Sequence, residues 1–143
     1  MTSLIEQDKD RKSKIEFGRA EFAYKCVENV IEKSKDIGKD LAEDYKSYSK
    51  KLPMMILTNG LAQALAFVFS KKKETNAWGM LYKHIKEYLC NHSIRKFDIG
   101  NEELTKWIIS CDKETYRAAT KEVLAFLSWV KRFAEGMIED SEV

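Results

Sequence analysis

The feature that most restricts the fold is an apolar repeat in the last quarter of the chain. Between residues 113 and 138, apolar or compact side chains recur at alternating steps of four and three. Such a repeat places its members along one face of an α-helix, as in a heptad seam. The seam consists of Tyr116, Thr120, Val123, Leu127, Val130, Ala134 and Met137. A second stripe predicts that this helix packs on two flanks, and it consists of Ala119, Phe126 and Phe133.

Apolar residues at helical spacing also predict helices in the first half of the chain. The first covers residues 9–35 and ends at Gly38, which suits a C-terminal cap. The second ends at Pro53, because proline interrupts helical hydrogen bonding and is tolerated in the first turn of a following helix. Residues 53–69 are uncharged and apolar nearly all round, which indicates the central core helix. Within it, we expect Gly60 to let a neighbouring helix approach closely.

Polar residues that can accept hydrogen bonds from free N–H groups mark the starts of the later helices. Either Thr75 or Asn76 caps a fourth helix, which ends near residue 91. Asn101 is predicted to cap a short fifth helix, and Asp112 the last one. Residues 92–100 are predicted to form a loop held by three apolar side chains, Ile94, Phe97 and Ile99.

These elements together predict the fold class. One proline and six glycines are too few turn residues for an all-β protein, and 143 residues suit one domain. We therefore predict an all-α protein, a single compact bundle of about five to six helices, with residues 1–9 and 139–143 as flexible tails. Three cysteines lie in apolar helical patterns and no apolar run follows the polar start, so we expect a cytoplasmic protein without a secretory signal or a membrane span.

Motifs for catalysis or cofactor binding are not found in the sequence. The glycines lie about twenty residues or more apart, which excludes a glycine-rich phosphate loop and a dinucleotide fingerprint. His84, Cys90, His92 and Cys111 lack the paired spacing of a zinc site, so we expect no metal and no cofactor. We expect these cysteines to pack in the core, and the histidines to cap a helix end or to face solvent. The sequence predicts that the protein is not an enzyme.

Positive charge is the remaining candidate for function. Residues 1–10 and 139–143 carry net charges of −2 and −3, so residues 11–138 carry +7. Cations spaced by helical turns can meet successive phosphates. The candidate RNA-binding residues are Arg117, Lys121, Lys131 and Arg132 on the last helix and the run Lys71, Lys72 and Lys73. The alternative is a solvated surface whose charges serve only solubility. Glu114 and Glu122 are expected to be exposed, and they reduce the positive charge of the last helix.

Two segments carry a family resemblance. Residues 51–67 read KLPMMILTNGLAQALAF, and residues 124–136 read LAFLSWVKRFAEG. Trp78 and the group Tyr116, Arg117 and Thr120 lie between them. In this combination the chain resembles, over about residues 15–137, the small helical subunit (subunit five) of the Cmr complex, the RNA-guided, RNA-targeting effector of type III-B CRISPR systems.

The resemblance implies a compact helical bundle with a non-catalytic role. It implies that the subunit packs against other Cmr subunits, stacks with copies of itself, and helps hold target RNA beside the guide–target duplex. Lys131 and Arg132 match the terminal motif and, with Arg117, are the basic positions that the resemblance suggests for RNA. The alternative is a protein-interaction adaptor that makes no direct RNA contact. A small hydrolase or metalloenzyme would show a bound metal or an activity that depends on His84, and we expect neither.

Overall fold

The structure, a computed structural model, describes the backbone of residues 4–140 and the side chains of residues 16–140. Between residues 4 and 140 it contains six α-helices and one π-helical turn. The elements are α1 (Leu4–Ile37), α2 (Asp40–Asn59), α3 (Leu61–Lys71), α4 (Ala77–Glu87), the π-helical turn (Tyr88–His92), α5 (Leu104–Ile109) and α6 (Lys113–Met137). No β-strand occurs between residues 4 and 140. The predicted all-α bundle is confirmed. In the same part of the chain, no helix combines the length and apolarity needed to cross a bilayer.

Helix α6 lies at the centre of the bundle. It packs most extensively against α1 and next against α2, as the two apolar stripes predict. The seam residues between Val123 and Ala134 and the second-stripe residues Ala119 and Phe126 are fully buried. Phe126 stacks on Tyr88 with ring centroids 4.5 Å apart, so the second stripe reaches the π-helical turn. The residues of the heptad pattern therefore form the centre of the hydrophobic core.

Helix α2 continues through Pro53, so the prediction that it ends there was wrong. Proline removes one N–H group and leaves the Ser49 carbonyl without its usual helical donor. The buried stripe nevertheless crosses the proline without a break, since Leu52 and Ile56 are both in the core. The free energy gained by burying this stripe against α4 and α6 outweighs the cost of a proline inside the helix.

The chain breaks instead at Gly60. This residue has φ +88° and ψ +159°, a backbone conformation that is essentially restricted to glycine. A Cβ atom at this position would lie 3.1 Å from the Tyr116 hydroxyl oxygen. That hydroxyl accepts a hydrogen bond of 3.0 Å from the Ala62 N–H, so a side chain of α6 caps the start of α3. The expected close approach does occur, but at a helix boundary.

The segment predicted to be a core helix buries only one side. In α3 the buried residues are Leu61, Ala64, Leu65 and Val68, whereas Phe67 and Phe69 are exposed. Met54 and Leu57 at the end of α2 are 66% and 70% exposed. The prediction of burial on nearly all sides was wrong, because an uncharged face can also stay on the surface.

Most of the predicted helix ends are confirmed. Asn76 accepts a hydrogen bond from Gly79 N–H, Asp112 accepts one from Thr115 N–H, and Gly38 closes α1. Asn101 does not cap α5, whose N-cap position is Glu103. Lys113 begins α6 as predicted.

The predicted tails, residues 1–9 and 139–143, lie partly outside the described residues. Helix α1 begins at Leu4, so residues 4–9 are helical, and residues 1–3 and 141–143 lie outside the described part. At the other end, the Lys46 Nζ atom lies 2.9 Å from the Ile138 carbonyl oxygen and 3.2 Å from Asp140 Oδ1. These contacts, with the burial of Ile138, hold the chain that follows α6 against α2.

A buried ion pair joins α1 to α6. The Arg19 Nη2 atom lies 2.9 Å from Glu122 Oε2, and both residues are more than nine-tenths buried. Arg19 Nε donates to the Tyr88 hydroxyl at 2.7 Å, and Nη1 lies 2.6 Å from Glu16 Oε2. Glu122 was expected to be exposed, and that prediction was wrong. A buried carboxylate is tolerated here because a guanidinium faces it directly.

The same cluster holds a loop and a tryptophan. Glu122 Oε1 accepts a hydrogen bond from Ile94 N–H at 2.8 Å, and Glu16 Oε1 accepts one from Trp129 Nε1 at 2.6 Å. Phe97 is buried as predicted, but the Ile94 side chain is exposed, so this residue is held through its backbone. Within residues 16–140, every buried side-chain nitrogen or oxygen has a hydrogen-bond partner.

Removing one charge of the buried pair should be costly, whereas removing both should not. Arg19→Met should lower the free energy of unfolding by about 3 to 5 kcal/mol, because it leaves the Glu122 carboxylate buried without its cation. Arg19→Met combined with Glu122→Gln should recover most of that loss. The measurement is urea unfolding followed by circular dichroism. The control Lys35→Met, in an exposed pair with Glu32, should cost at most about 1 kcal/mol. A double variant as unstable as Arg19→Met would contradict the prediction.

The glycine at the α2–α3 boundary should also be intolerant of a side chain. Gly60→Ala should cost about 1 to 3 kcal/mol, because its backbone conformation is strained for other residues. In a Tyr116→Phe background, Gly60→Ala should cost less but still destabilise the protein. The Tyr116→Phe substitution removes the contact between the added Cβ and the hydroxyl, whereas the backbone strain at residue 60 remains. Gly18→Ala is the control and should stabilise α1 by about 0.5 to 1 kcal/mol, because nothing lies within 4 Å of the added methyl group. Equal thermal midpoints for Gly60→Ala and the unmodified protein would refute this account.

Candidate nucleic-acid interface

Four of the predicted RNA-binding residues share one face of α6. At 100° per residue, their positions fall within an arc of about 100°, and Arg117 and Arg132 lie about 22 Å apart along the helix. Arg117, Lys121 and Arg132 are exposed, whereas Lys131 is half-buried. We call these four residues the α6 basic face.

Carboxylates share this surface. Glu114 and Glu135 are exposed on the same arc, and Arg132 Nη1 lies 3.8 Å from Glu135 Oε2. Glu122 points away from this face into the core, so it does not reduce the positive charge of the face as the sequence suggested. Within the described side chains, Arg117 and Lys121 form no ion pair, which leaves both cations available to an anionic ligand.

The lysine run lies away from the α6 basic face. Lys71 ends α3, and Lys72 and Lys73 begin the connection to α4. The contact between α6 and α3 is at Ala62, about 13 Å along α3 from Lys71. The structure therefore divides the seven predicted residues into two separate groups.

The lysine run is held in a fixed conformation by Asn76. The Asn76 Oδ1 atom accepts hydrogen bonds from Lys73 N–H and Gly79 N–H, and its Nδ2 donates to the Lys71 carbonyl oxygen. A Cβ atom at Gly79 would lie 1.9 Å from the Lys73 carbonyl oxygen, so only glycine fits there. The Lys72 ammonium lies 5.2 Å from the Tyr82 ring centroid, within cation–π distance.

Beside this connection lies a groove between α1 and α4, here called the α1–α4 groove. It has a volume of about 1260 Å³ and follows α1 from Phe22 to Ile37, about 22 Å. Phe22 stacks on His92 at one end, with ring centroids 3.9 Å apart. The charged residues that line it are five lysines, Lys25, Lys33, Lys72, Lys73 and Lys83, and three acids, Asp36, Glu74 and Glu87.

A buried histidine forms part of the groove wall. His84 Nδ1 lies 2.8 Å from the Tyr45 hydroxyl oxygen. Burial, aided by the charges of Lys83 and Lys33, lowers the pKa of His84 to about 4. Burial also raises the pKa of Tyr45, so the hydroxyl donates to a neutral ring. The expectation that both histidines cap a helix end or face solvent was wrong for His84, and only His92 is exposed.

The cysteines are packing residues. Cys26 is buried, and desolvation raises the pKa of its thiol, while Cys90 and Cys111 are half-buried against the core. In the described part of the chain, no three His, Cys, Asp or Glu residues lie close enough together to hold a metal ion. What the geometry offers chemically is positive charge on two surfaces.

Comparison with known proteins identifies the family. The sequence model of the family described as CRISPR-associated protein (Cas_Cmr5) matches residues 15–137, from the first third of α1 to the end of α6. The chain belongs to the Cmr5 family. It is 34% identical over 119 residues to the CRISPR system Cmr subunit Cmr5 of Thermus thermophilus, an alignment covering 83% of this chain and 94% of that protein.

A solved Cmr5 structure supports the same assignment. The X-ray crystal structure of a CRISPR-associated Cmr5 family protein from Thermus thermophilus superposes with a TM-score of 0.64 at 30% sequence identity. The match covers 87% of this chain and 97% of that one. The family resemblance noted in the sequence is thereby confirmed, and the Cmr5 family supplies the context in which the two basic surfaces are interpreted.

Burial of His84, aided by the nearby Lys83 and Lys33, makes the stability pH-dependent. Because the pKa of His84 is about 4 in the folded protein and 6.5 in the unfolded chain, the unfolded chain takes up the proton first as pH falls. The stabilisation is complete above pH ~6.5, and about 3 kcal/mol of it is lost between pH ~6.5 and ~4. His84→Gln should therefore show a shallower fall in unfolding free energy over this range. Burial lowers the pKa of His92 less strongly, so His92→Gln should flatten the profile less than His84→Gln. Parallel profiles for His84→Gln and the unmodified protein would contradict the assignment.

Proposed function

We propose that this protein is a non-catalytic small subunit of a type III-B Cmr complex that acts in the cytoplasm. The observation that carries the proposal is the family match over residues 15–137, which covers the last two thirds of α1 and all of the later helices. The relative from Thermus thermophilus is named as a Cmr subunit, and it is matched over nearly its full length. A chain that shares most of the bundle can serve the same architectural role.

The proposed contribution to RNA binding comes from the α6 basic face. Arg117 and Lys121 are exposed, lie one helical turn apart and are free of ion pairs among the described side chains. Arg132 and Lys131 extend the same face toward the end of the helix. Lysine and arginine side chains in this arrangement bind phosphates without reading base sequence, so the guide RNA would supply specificity by base pairing. Other Cmr subunits would hold the protein in place beside the duplex.

An adaptor that makes no RNA contact is the second candidate, and exposed apolar residues favour it. Met54 and Leu57 project from α2 into solvent, and Ile109 on α5 is 69% exposed. Exposed apolar side chains are common at protein–protein contacts, where they lose water on docking. Both candidates require docking to other subunits, and they differ only in whether RNA is touched.

The assembly role is tested by purification of the tagged full-length chain from its own cells. We expect the other Cmr subunits and a short guide RNA to be recovered with it in fixed proportions. Recovery of the chain alone would refute the subunit role. RNA crosslinks on α6 in the purified complex would favour direct RNA holding, and their absence the adaptor.

The α6 basic face is tested by charge reversal in the assembled complex. Arg117→Glu with Lys121→Glu, and separately Lys131→Glu with Arg132→Glu, should weaken target-RNA retention. Each lost phosphate contact should reduce the steepness of the salt dependence by about 0.7 to 0.9. Glu114→Gln on the same face is the opposite-sign control and should strengthen retention. Unchanged retention and slope in both pairs, with assembly intact, would remove these residues from the site.

A further inference from the structure

We propose that the α1–α4 groove binds the phosphate backbone of a single RNA strand, independently of the α6 basic face. The inference rests on the proposed function only for the choice of RNA as the polyanion. The charge, the shape and the fixed backbone geometry of the groove point to a site for a polyanionic chain.

The charge of the groove comes from separate segments of the chain. Lys25 and Lys33 extend from α1, Lys83 from α4, and Lys72 and Lys73 from the connection before α4. Lys33 and Lys83 both lie near His84, whose pKa they lower, so the two walls carry cations at the same level. Lys25 also pairs with exposed Glu21 at 3.1 Å, whereas Lys33, Lys73 and Lys83 form no ion pair within residues 16–140. These three ammonium groups are available to an anion.

The size of the groove favours a polymer. Small-molecule pockets usually have volumes of roughly 300 to 1,000 Å³ and enclose most of the ligand. This groove is larger and open along its length. Lys25 and Lys33 lie about 12 Å apart along α1, and the other three lysines come from α4 and the connection before it, which suits a chain of phosphates better than one compact anion.

The composition of the groove favours RNA over a protein partner. Lysine and acidic residues are depleted at the centres of protein interfaces, which instead present aromatic or aliphatic anchors. Here the apolar residues Phe22, Cys26 and Met80 are buried in the floor, and of the lining residues only Ile37 is an exposed large hydrophobic. The exposed apolar residues that suit protein docking, Met54 and Leu57, lie on α2, away from this groove.

The lysines at one end of the groove are held in a fixed conformation. Asn76 makes three hydrogen bonds that fix the backbone from Lys71 to Gly79, and the close contact at Gly79 permits no other residue. The backbone carrying Lys72 and Lys73 therefore needs little further ordering when a ligand binds, which reduces the entropy lost on association. Glu87 lies near Cys26 and His92, toward the Phe22 end of the groove, and opposes an anion there. Phosphates should therefore contact mainly Lys33, Lys73 and Lys83.

The test is fluorescence anisotropy of a labelled oligouridylate with the full chain over a series of salt concentrations. Each phosphate contact on a single strand contributes about 0.7 to the salt slope, so Lys33→Gln with Lys83→Gln should lower the slope by about 1.4 and weaken binding about 25-fold at about 0.1 M salt. Lys50→Gln with Lys106→Gln removes the same charge from exposed sites outside the groove and should change binding by less than about twofold. Glu87→Gln should strengthen binding.

Specific results would overturn the inference. Equal losses in the groove pair and the Lys50–Lys106 pair would show that only net charge matters. Failure of the unmodified chain to bind at low salt would remove the site, as would an oligoglutamate of the same length competing as well as RNA. Loss of binding only in Arg117→Gln with Lys121→Gln would assign RNA to the α6 basic face and leave the proposed function standing. If Lys33→Gln with Lys83→Gln loses RNA binding but the tagged chain recovers no Cmr subunits, the groove would stand as an RNA site and the proposed subunit role would be refuted.

Discussion

The buried ion pair between Arg19 and Glu122 is the constraint on which the arrangement of the bundle depends. A charge removed from water is tolerated only with a well-placed partner, so α1 and α6 must keep the register that brings these two groups together. The same carboxylate holds the backbone at Ile94, and the guanidinium holds Tyr88 in the π-helical turn. One side of α1 is thereby fixed against α6, while its Lys25–Lys33 side forms a wall of the groove. The ion pair thus positions the helix that carries the α6 basic face and the α1 wall of the groove.

Features with a strong local signal could be predicted from the sequence. The seam of α6 is visible because a period of three and four has no other physical explanation, and Asn76 and Asp112 cap helices through neighbours in the sequence. Pro53 and Gly60 were misassigned because local preference competes with burial. Leu52 and Ile56 carry the buried stripe of α2 across the proline, while Gly60 breaks the chain where the Tyr116 hydroxyl caps the next helix.

The candidate sites divide in the same way. The α6 basic face could be predicted because its four cations share one helix, and helical geometry alone places them together. The α1–α4 groove could not, since its lysines come from three separate segments that meet only in the folded chain. Glu122 and His84 were misassigned for a related reason. A charged or polar residue at a helical position looks solvent-facing unless its distant partner, Arg19 or Tyr45, is known.

If the proposed RNA contacts are made, the modest number of cations limits how tightly one chain can hold the strand. Two to five phosphate contacts per chain give weak binding that falls quickly with salt, because each contact releases a counterion. Several copies bound along one strand would combine these contacts, since the second and later binding events occur at high effective concentration. Weak contacts of this kind also allow the strand to dissociate once any part of the assembly loosens. An isolated chain with tight, salt-resistant RNA binding would therefore be inconsistent with the charge distribution seen here, whichever of the two basic surfaces carries the strand.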